Sequence, residues 1–197
     1  MLKRLFDIFF SLGWLLVFSP LLITVAILVR LKLGSPIFFM QERPGKNGKP
    51  FRMVKFRTMT DERDAQGNLL PDEIRLTKFG KLLRSTTLDE FPEMWNVLCG
   101  DMSVVGPRPL LMRYIPRYNA FQARRMEAKP GVTGWAQVNG RNALSWDEKF
   151  AMDVWYVDNQ SFWLDLKIVV QTFFVVFRRR GINSEKAATM EEFMGNG

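Results

Sequence analysis

Residues 5–29, LFDIFFSLGWLLVFSPLLITVAILV, decide how this chain is organised, because Asp7 is the only charged residue among them. As one continuous helix rising about 1.5 Å per residue, this stretch would be roughly 37 Å long. The hydrocarbon core of a bilayer is about 30 Å thick, so the length is sufficient for a membrane span. We therefore assign residues 1–32 to a membrane segment.

Ser19 and Pro20 interrupt the apolar run beyond its middle and predict a sharp bend. Proline has no backbone N–H and its ring crowds the carbonyl of Leu16, whereas the Ser19 hydroxyl can satisfy a freed backbone group. Because positively charged flanks favour the cytoplasmic side, basic residues at both ends favour a re-entrant helix that enters and leaves one leaflet. These flanking residues are Lys3, Arg4, Arg30 and Lys32. A single spanning anchor with a proline kink remains the alternative.

The overall composition excludes several classes of site. The 197 residues leave room for one domain with an appendage, and 28 Lys and Arg against 20 Asp and Glu give a net charge of +8. The absence of histidine excludes Ser-His-Asp triads and His-based zinc sites, so acid–base chemistry falls to Asp, Glu, Lys or Tyr. The single Cys99 excludes an internal disulfide and fits a reducing compartment.

A basic β-hairpin is predicted directly after the membrane segment. Residues 36–40 and 51–57 have the composition of short strands, and residues 43–50, RPGKNGKP, are dense in turn formers. Between Arg30 and Arg57 eight basic residues face Glu42 alone, which favours contact with anionic headgroups. Lys55 shares a strand face with Phe51 and Met53, and its simplest interpretation is a lipid-facing or solvated lysine.

An acidic pair follows a loop and a helix predicted over residues 74–84. Thr87-Leu-Asp-Glu90 fits the S/T-x-x-E capping box, which would place Asp89 and Glu90 in the first turn of a helix. Pro92 fits poorly inside that turn, so the alternative is a helix that begins just after the pair. Both registers put the carboxylates at the positive end of a helix, and ordinary capping remains a competing explanation for them.

The loop CGDMSVVGPRPL, residues 99–110, follows at once and is rich in fixed backbone geometry. Arg108 lies between two prolines on a stiff extended segment that suits a guanidinium held against phosphate. A rigid linker is the alternative. Together with the basic strand and the helix start, Arg108 favours an anion site.

The remaining chain is predicted to be mainly helical. Residues 112–129 suggest a basic helix, and Ser145-Trp-Asp-Glu148 is a second capping box that opens a helix through Val157. Residues 162–177 resemble an interfacial helix that ends in three arginines, with a buried core helix as the alternative. The glycine-rich loop 129–142 carries Trp135 and suits either a nucleobase site or a packed turn. A loose tail is expected from Gly181.

Six sequence blocks in one order resemble the monotopic phosphoglycosyl transferases of bacterial glycan assembly, over almost the whole chain to Arg180. The blocks are KFRTM (55–59), TKFG (77–80), LDEFP (88–92), GDMSVVGPRP (100–109), KPGVTGW (129–135) and YVDN (156–159). The resemblance implies transfer of a sugar-1-phosphate from a UDP-sugar to undecaprenyl phosphate, with release of UMP. It also implies a re-entrant helix broken at a Ser-Pro pair, which Ser19 and Pro20 match.

The resemblance further implies roles for individual residues. Asp89 corresponds to a nucleophile that forms a covalent phosphosugar intermediate, Glu90 to its partner, and the pair to the site of Mg²⁺. Lys55, Arg84 and Arg108 correspond to the phosphate-binding region. A carboxylate nucleophile divides one displacement into two, and a cation with fixed positive groups would stabilise the developing charge.

These inferences combine into one expected architecture, which looks like a minimal member of that family. The fold class is α+β and mainly helical, with a small β-hairpin and interfacial amphipathic helices. Residues 1–32 form the re-entrant membrane helix, 33–180 a cytosolic membrane-associated catalytic domain and 181–197 a tail. The expected location is the cytoplasmic face of the bacterial inner membrane, among membrane lipids.

Two other functions remain open from the residues alone. A non-catalytic protein that binds anionic lipid would use the same basic strand, with Asp89 and Glu90 as helix caps. Nucleic-acid binding is suggested by a pI near 9.9, but no nucleic-acid motif accompanies the charge, so we expect no such partner. The sequence determines neither the oligomeric state nor the sugar, for which an N-acetylated, deoxygenated one is our guess from resemblance.

Overall fold

The structure, a computed structural model, describes residues 1–140, 144–177 and 192–195. The described part is mainly helical with a small antiparallel hairpin, which confirms the predicted fold class at that level. Its helices and strands, in chain order, are α1 Leu2–Val17, α2 Ser19–Leu33, β1 Phe38–Pro44, β2 Pro50–Phe56, α3 Asp72–Arg75, α4 Lys78–Ser85, α5 Glu93–Cys99, β3 Ser103–Val105, α6 Ala120–Ala123, β4 Gly131–Thr133, α7 Trp135–Val138, α8 Trp146–Asn159 and α9 Phe162–Phe177.

The N-terminal apolar run forms two helices with a sharp bend between them. Helices α1 and α2 meet at Phe18 at an angle of 63°. The Ser19 hydroxyl donates to the Leu16 carbonyl at 2.8 Å, so it satisfies the group that Pro20 leaves without an N–H partner. The predicted kink is confirmed. No single described helix has the length and apolar character of a membrane span, whereas the bent pair meets both criteria together.

Replacing Pro20 tests whether the bend determines membrane topology. Pro20→Ala restores an N–H able to donate to the Leu16 carbonyl, so we expect a straighter helix and a shifted N-terminal topology. Protease accessibility of an N-terminal tag in oriented vesicles measures that shift, and Pro71→Ala, at an exposed proline before α3, is the control. A tag still accessible only from the cytoplasm in Pro20→Ala would contradict the prediction.

The charged residues of α1 bind the rest of the protein. Asp7, the only charge in the apolar run, is buried and accepts hydrogen bonds from Ser103 Oγ and Val104 N, both at 2.9 Å. Lys3 pairs with the buried Asp165 of α9 at 2.6 Å. Arg4 donates to two backbone carbonyls at the end of α5. Because these polar groups find partners inside the protein, α1 is fixed to the domain that follows it.

The hairpin packs on α5, and one amide side chain fixes that contact. Strands β1 and β2 pair antiparallel, each within two residues of its predicted start. Phe51 and Met53 of β2 belong to the same buried cluster as Met94 and Val97 of α5. Asn96 Oδ1 accepts from the Val54 N–H at 3.0 Å, and its Nδ2 donates to the Arg52 carbonyl at 2.8 Å. The start of α5 is therefore held against β2.

A second, parallel strand pair positions the proline-flanked arginine. Strand β3 pairs with β4, although the sequence had indicated only loops there. The backbones approach so closely that a Cβ on Gly131 would lie 2.0 Å from Gly106 N. Only glycine permits this approach, and the chain leaves β3 directly into the segment that carries Arg108.

Two predicted helices are broken. The helix expected over residues 112–129 is instead three short turns, Met112–Arg117, Ala120–Ala123 and Arg124–Glu127. Pro116 and an Asn119 capping box interrupt the periodicity that suggested one helix. The helix expected over residues 74–84 divides at Thr77, whose side chain caps α4.

The later helices agree with their predictions. Ser145 and Glu148 form the predicted capping box at the start of α8, and α9 extends over Phe162–Phe177. Residues 178–191, with the three arginines, lie outside the described residues. The expectation of a loose tail is wrong for 192–195, because Phe193 is buried against Tyr114 and Phe150.

Candidate active site

The predicted acidic pair lies in a short turn between α4 and α5. Leu88–Glu90 form one 3₁₀ turn, and α5 begins only at Glu93. The capping box is wrong: the Thr87 hydroxyl donates to the Thr86 carbonyl at 2.7 Å and caps no helix. Of the two registers, the structure therefore has the one in which the carboxylates precede the helix.

Thr87 holds a backbone conformation that its side chain disfavours. Its φ is 56°, in the left-handed region, where a β-branched residue is strained by about 1–3 kcal/mol. Glu90 N donates to the Thr87 carbonyl at 3.1 Å, so this strained residue closes the turn that carries Asp89. Strain at this position points to a turn selected for where it places the carboxylates.

Replacing Thr87 with glycine should separate stability from activity. Thr87→Gly removes the Cβ clash, so we expect the free energy of unfolding to rise by about 1 kcal/mol, net of the lost chain stiffness. Turnover should fall severalfold because the turn becomes less rigid. Denaturant unfolding in detergent measures the first effect. The stability control is Thr86→Gly, where φ is −96° and no such strain is relieved. A less stable Thr87→Gly protein would contradict the assignment of strain.

Three carboxylates and two cations meet beside this turn. Lys55 Nζ lies 2.8 Å from Glu90 Oε1 and 3.1 Å from Glu93 Oε1. Arg108 donates to Glu90 through both Nη atoms, with Nη1 at 3.3 Å from Oε2. The interpretation of Lys55 as a solvated or lipid-facing lysine is wrong, because its side chain is only 17 % exposed and bridges two acids.

Asp89 differs from its neighbours because its carboxylate has no bonded partner. It is 8 % exposed, yet it forms no ion pair or side-chain hydrogen bond within the described part of the chain. Arg84, in the last turn of α4, uses its Nε to donate to Thr58 Oγ1 at 3.1 Å. Its Nη groups have no hydrogen bonds to the residues that the structure describes. The site thus contains a buried acceptor and a cation that remain available to a ligand.

Burial and neighbouring charges give the three acids different pKa values. Burial, followed by the charge of Glu90, raises the pKa of Asp89 to about 6 and that of Glu93 to about 7. Burial alone would also raise the pKa of Glu90, but Arg108 and Lys55 hold it well below its usual range. Glu90 is therefore the permanently charged member that neutralises the cations, and both Asp89 and Glu93 are more basic than Glu90.

Residues that the sequence analysis did not single out support Arg108 and Lys55. Arg125 donates from Nη2 to the Arg108 carbonyl at 2.7 Å and pairs with the buried Asp153 of α8 at 2.6 Å. Glu93, which is buried and lies 3.1 Å from Lys55, is the third acid. Arg124 and Arg125 belong to the stretch predicted as a basic helix, and no local pattern in the sequence distinguishes Glu93.

Several of these groups line one cavity of about 700 Å³, whereas Asp89, Lys55 and Glu93 are not among its lining residues. Its walls include Glu90, Arg84 and Arg108, aromatic residues of α1, and residues of α8 and α9. Trp135 is not among the described residues that line it, since it stacks on Trp155 at 4.9 Å. A packed turn therefore fits Trp135, whereas Val132, Thr133 and Gln137 of the same glycine-rich loop do line the cavity.

Asp89 and Glu90 could hold Mg²⁺ only if phosphate oxygens or water completed its coordination. No cluster of three His, Cys, Asp or Glu suited to a metal occurs among residues 1–140, 144–177 and 192–195. Mg²⁺ commonly uses one or two carboxylates together with phosphate oxygens and water. Asp89 offers unoccupied oxygens, whereas Glu90 would have to share its oxygens with Lys55 and Arg108.

Comparison with known proteins identifies the family. A "UDP-glucose:undecaprenyl-phosphate glucose-1-phosphate transferase" of Klebsiella pneumoniae is 40 % identical over 89 % of the chain, which spans only 40 % of that relative. The "Uncharacterized sugar transferase EpsL" of Bacillus subtilis is 58 % identical over 100 % of the chain and 97 % of the relative. "Exopolysaccharide production protein ExoY" of Rhizobium meliloti is 35 % identical over 92 % of the chain and 88 % of that relative. Because the family model described as "Bacterial sugar transferase" matches residues 1–179, this chain is a transferase of the bacterial sugar transferase family.

Proposed function

We propose that this protein transfers a sugar-1-phosphate from a UDP-sugar to undecaprenyl phosphate and releases UMP, at the cytoplasmic face of the bacterial inner membrane. The observation that carries the proposal is the buried Asp89 carboxylate, which is unpaired within the described part of the chain and lies beside cations that Glu90 holds in place. The printed activity of the Klebsiella relative supports the same donor and acceptor classes. A lipid-binding protein with Asp89 and Glu90 as helix caps is disfavoured, because neither acid caps a helix.

The reaction proceeds in two displacements at one phosphorus atom. An Asp89 oxygen attacks the phosphorus that carries the sugar, the P–O bond to UMP breaks, and UMP leaves with the electron pair. The resulting acyl phosphate holds the phosphosugar on Asp89. A phosphate oxygen of the lipid then attacks the same phosphorus, and the Asp89 carboxylate leaves. Two successive displacements regenerate the enzyme.

The surrounding charges explain why Asp89 is the nucleophile. Glu90 accepts two hydrogen bonds at Oε1 and one at Oε2 from Lys55 and Arg108, so its basicity is low although Oε2 keeps one acceptor position. Asp89 has no such partner in residues 1–140, 144–177 and 192–195, and its raised pKa makes its oxygens more nucleophilic. Arg84 and Arg108 are placed to stabilise charge on the phosphate oxygens.

We assign Mg²⁺ to Asp89 and Glu90 together with substrate phosphate oxygens. When bound, the ion would neutralise the charge of the diphosphate and of the leaving UMP. The chain's own contribution is the carboxylate pair, whose charge Lys55, Arg84 and Arg108 offset.

Intact mass spectrometry of the purified protein tests the covalent step. The wild type is incubated with Mg²⁺ and, separately, UDP-sugars that include neutral and N-acetylated members, without lipid acceptor. We expect an added sugar-phosphate mass with one donor, and its loss when undecaprenyl phosphate is added. Asp158→Asn replaces an exposed acid of α8 that pairs with Arg124. It is the matched control for Asp89→Asn and should form the adduct. UMP release that requires acceptor, without any adduct, would favour direct transfer instead.

The pH dependence of the reaction should report the ionisation of Asp89. Burial and the neighbouring Glu90 raise the pKa of Asp89 to about 6, so its nucleophilic form is lost as the pH falls through that value. We expect kcat/KM for the UDP-sugar to fall by about tenfold per pH unit below pH 6. Initial rates of UMP release from pH 4.5 to 8.5 measure the profile, with intrinsic fluorescence as the check that the fold persists. A flat profile down to pH 5 would contradict the role of Asp89.

A further inference from the structure

Arg43, near the end of β1, brings a further guanidinium to the cavity that Arg108 lines. Its Nη1 donates to the carbonyl of Pro109, the residue after Arg108, at 3.4 Å, and its Nη2 donates to Gln41 Oε1 at 2.6 Å. Burial, followed by the charge of Arg108, lowers the pKa of Arg43 from its usual value. The two arginines are thus close enough to repel each other in a partly buried site.

Arg43 forms no ion pair with any described residue. The two acids whose charges act on it, Glu90 and Glu93, both pair with Lys55, and Glu90 also pairs with Arg108. Arg43 Nε is in addition buried without a hydrogen-bond partner in the same part of the chain. A buried cation with a spare N–H is costly unless an anion accepts from it. An anion bound between Arg43 and Arg108 would remove both penalties.

Two aromatic side chains form the cavity wall next to Arg43. Tyr114, whose charge also acts on Arg43, and Trp146 both line the cavity, and their ring centroids are 5.8 Å apart. They pack with Phe150 and Phe193 in a cluster separate from those that contain residues of the catalytic turn and α5. Trp146 Nε1 is buried and has no hydrogen-bond partner among the described residues. We call Tyr114 and Trp146 the aromatic wall.

The order of the charges gives a diphosphate donor a direction in the cavity. The charges of Arg84 and Arg108 act on Asp89, and the charge of Arg108 also acts on Arg43. A donor whose sugar-bearing phosphorus lies at Asp89 would therefore place its second phosphate between Arg108 and Arg43. Its nucleoside would then reach the aromatic wall, where flat rings suit the face of a base.

Resting on the proposed function, we propose that Arg43 and Arg108 bind the phosphate of the UMP half of the donor, and that Tyr114 and Trp146 contact its nucleoside. Arg43 is thus a further donor-binding residue, which acts in the first displacement and not in the second. The lipid acceptor also offers a phosphate, but it has no nucleoside for the aromatic wall to contact.

Calorimetric titration of the full chain in detergent with UMP and Mg²⁺ tests this subsite without requiring turnover. Arg43→Gln removes the cation and should raise the Kd for UMP by roughly 10- to 100-fold. Arg43→Lys keeps the charge but loses the planar fork, so its Kd should rise by about 3- to 10-fold. Trp146→Ala should raise the Kd by a similar factor of about 3 to 10 through the lost ring contact.

Steady-state kinetics distinguishes the two sources of the phosphate. The KM for the UDP-sugar should rise in Arg43→Gln, whereas the KM for undecaprenyl phosphate should stay within twofold of the wild type. The matched control is Arg63→Gln, because Arg63 is an exposed arginine that donates to the Gly67 carbonyl and does not line the cavity. Its Kd for UMP should also stay within twofold.

An unchanged Kd for UMP in Arg43→Gln would overturn the proposal, as would a wild type that does not bind UMP. A raised acceptor KM with normal UMP affinity would overturn it too, because Arg43 would then bind the lipid phosphate. If the wild type binds UMP and Arg43→Gln does not, but the wild type transfers no sugar-phosphate from any UDP-sugar, the subsite stands and the proposed function fails.

Discussion

Asp89→Asn should abolish the covalent adduct, lower the rate of UMP release by at least about 1,000-fold and make the protein more stable. The loss of activity follows because the amide is not a nucleophile for phosphorus. The gain in stability follows because the wild-type carboxylate is buried, has no bonded partner among the described residues and lies beside the charged Glu90. Both effects arise from the same side chain, which a helix-capping role would not predict.

The stability gain of Asp89→Asn depends on pH, because only the ionised Asp89 carboxylate opposes folding. Burial raises the pKa of Asp89 to about 6 in the folded protein, above its value in the unfolded chain, so ionisation destabilises the fold. At pH 7.5 this penalty is about 1–3 kcal/mol, and it disappears as the pH falls from 6 to 4. The advantage of Asp89→Asn in the free energy of unfolding should therefore shrink over that range.

Denaturant unfolding of Asp89→Asn and wild type at pH 7.5 and pH 5 measures this difference. Asp158→Asn replaces an exposed acid in a surface ion pair, so it should change stability by less than about 0.5 kcal/mol at both pH values. An adduct on the Asp89→Asn protein would rule out Asp89 as the nucleophile. A stability loss at pH 7.5 would show that the carboxylate has a structural role.

The parts of the site that the sequence predicted are those held by local signals. Arg108 was indicated by its flanking prolines, and the bend by Ser19 and Pro20. A single hydrogen bond from Ser19 to the Leu16 carbonyl accompanies that bend in the structure. Asp89 and Glu90 were predicted as a pair from adjacent positions. In each case the informative residues lie within a few positions of one another, so the local sequence is sufficient to predict the feature.

The contacts that the sequence did not predict are those between residues distant along the chain. Lys55 is paired with an acid 35 residues away, and Arg125 with Asp153, 28 residues away, so no local pattern indicates either contact. Thr87 takes a left-handed conformation that its type disfavours, and the motif T-x-x-E therefore suggested a cap that does not form. Tertiary packing, which holds the start of α5 against β2 through Asn96, prevails over the local preference.

Glu90→Gln should lower turnover by roughly 100- to 1,000-fold and also move the acidic limb of the pH profile. The variant leaves Lys55 and Arg108 without their shared carboxylate, so the two cations lose the group that fixes their positions. It also removes the negative charge that, after burial, contributes most to the raised pKa of Asp89. The two cations would then lower the pKa of Asp89, so the limb should shift from about pH 6 to lower pH.

Glu93 provides the comparison that separates charge from structure. It lies 3.1 Å from Lys55, and its own pKa is raised to about 7 by burial and by Glu90. In Glu90→Gln that repulsion disappears, so Glu93 should ionise more readily and take over the pairing of Lys55. Glu93→Gln alone should thus have a smaller effect than Glu90→Gln, and the double variant should lose more than the sum of the two.

The measurement is kcat/KM for the UDP-sugar against pH for the wild type, both single variants and the double variant. A purely structural role of Glu90 would lower the rate at all pH values and leave the limb near pH 6. A limb that moves to lower pH in Glu90→Gln, with a near-wild-type limb in Glu93→Gln, would show that Glu90 sets the basicity of Asp89. An upward shift would contradict the charge arrangement, because it would mean that the remaining cations do not reach Asp89.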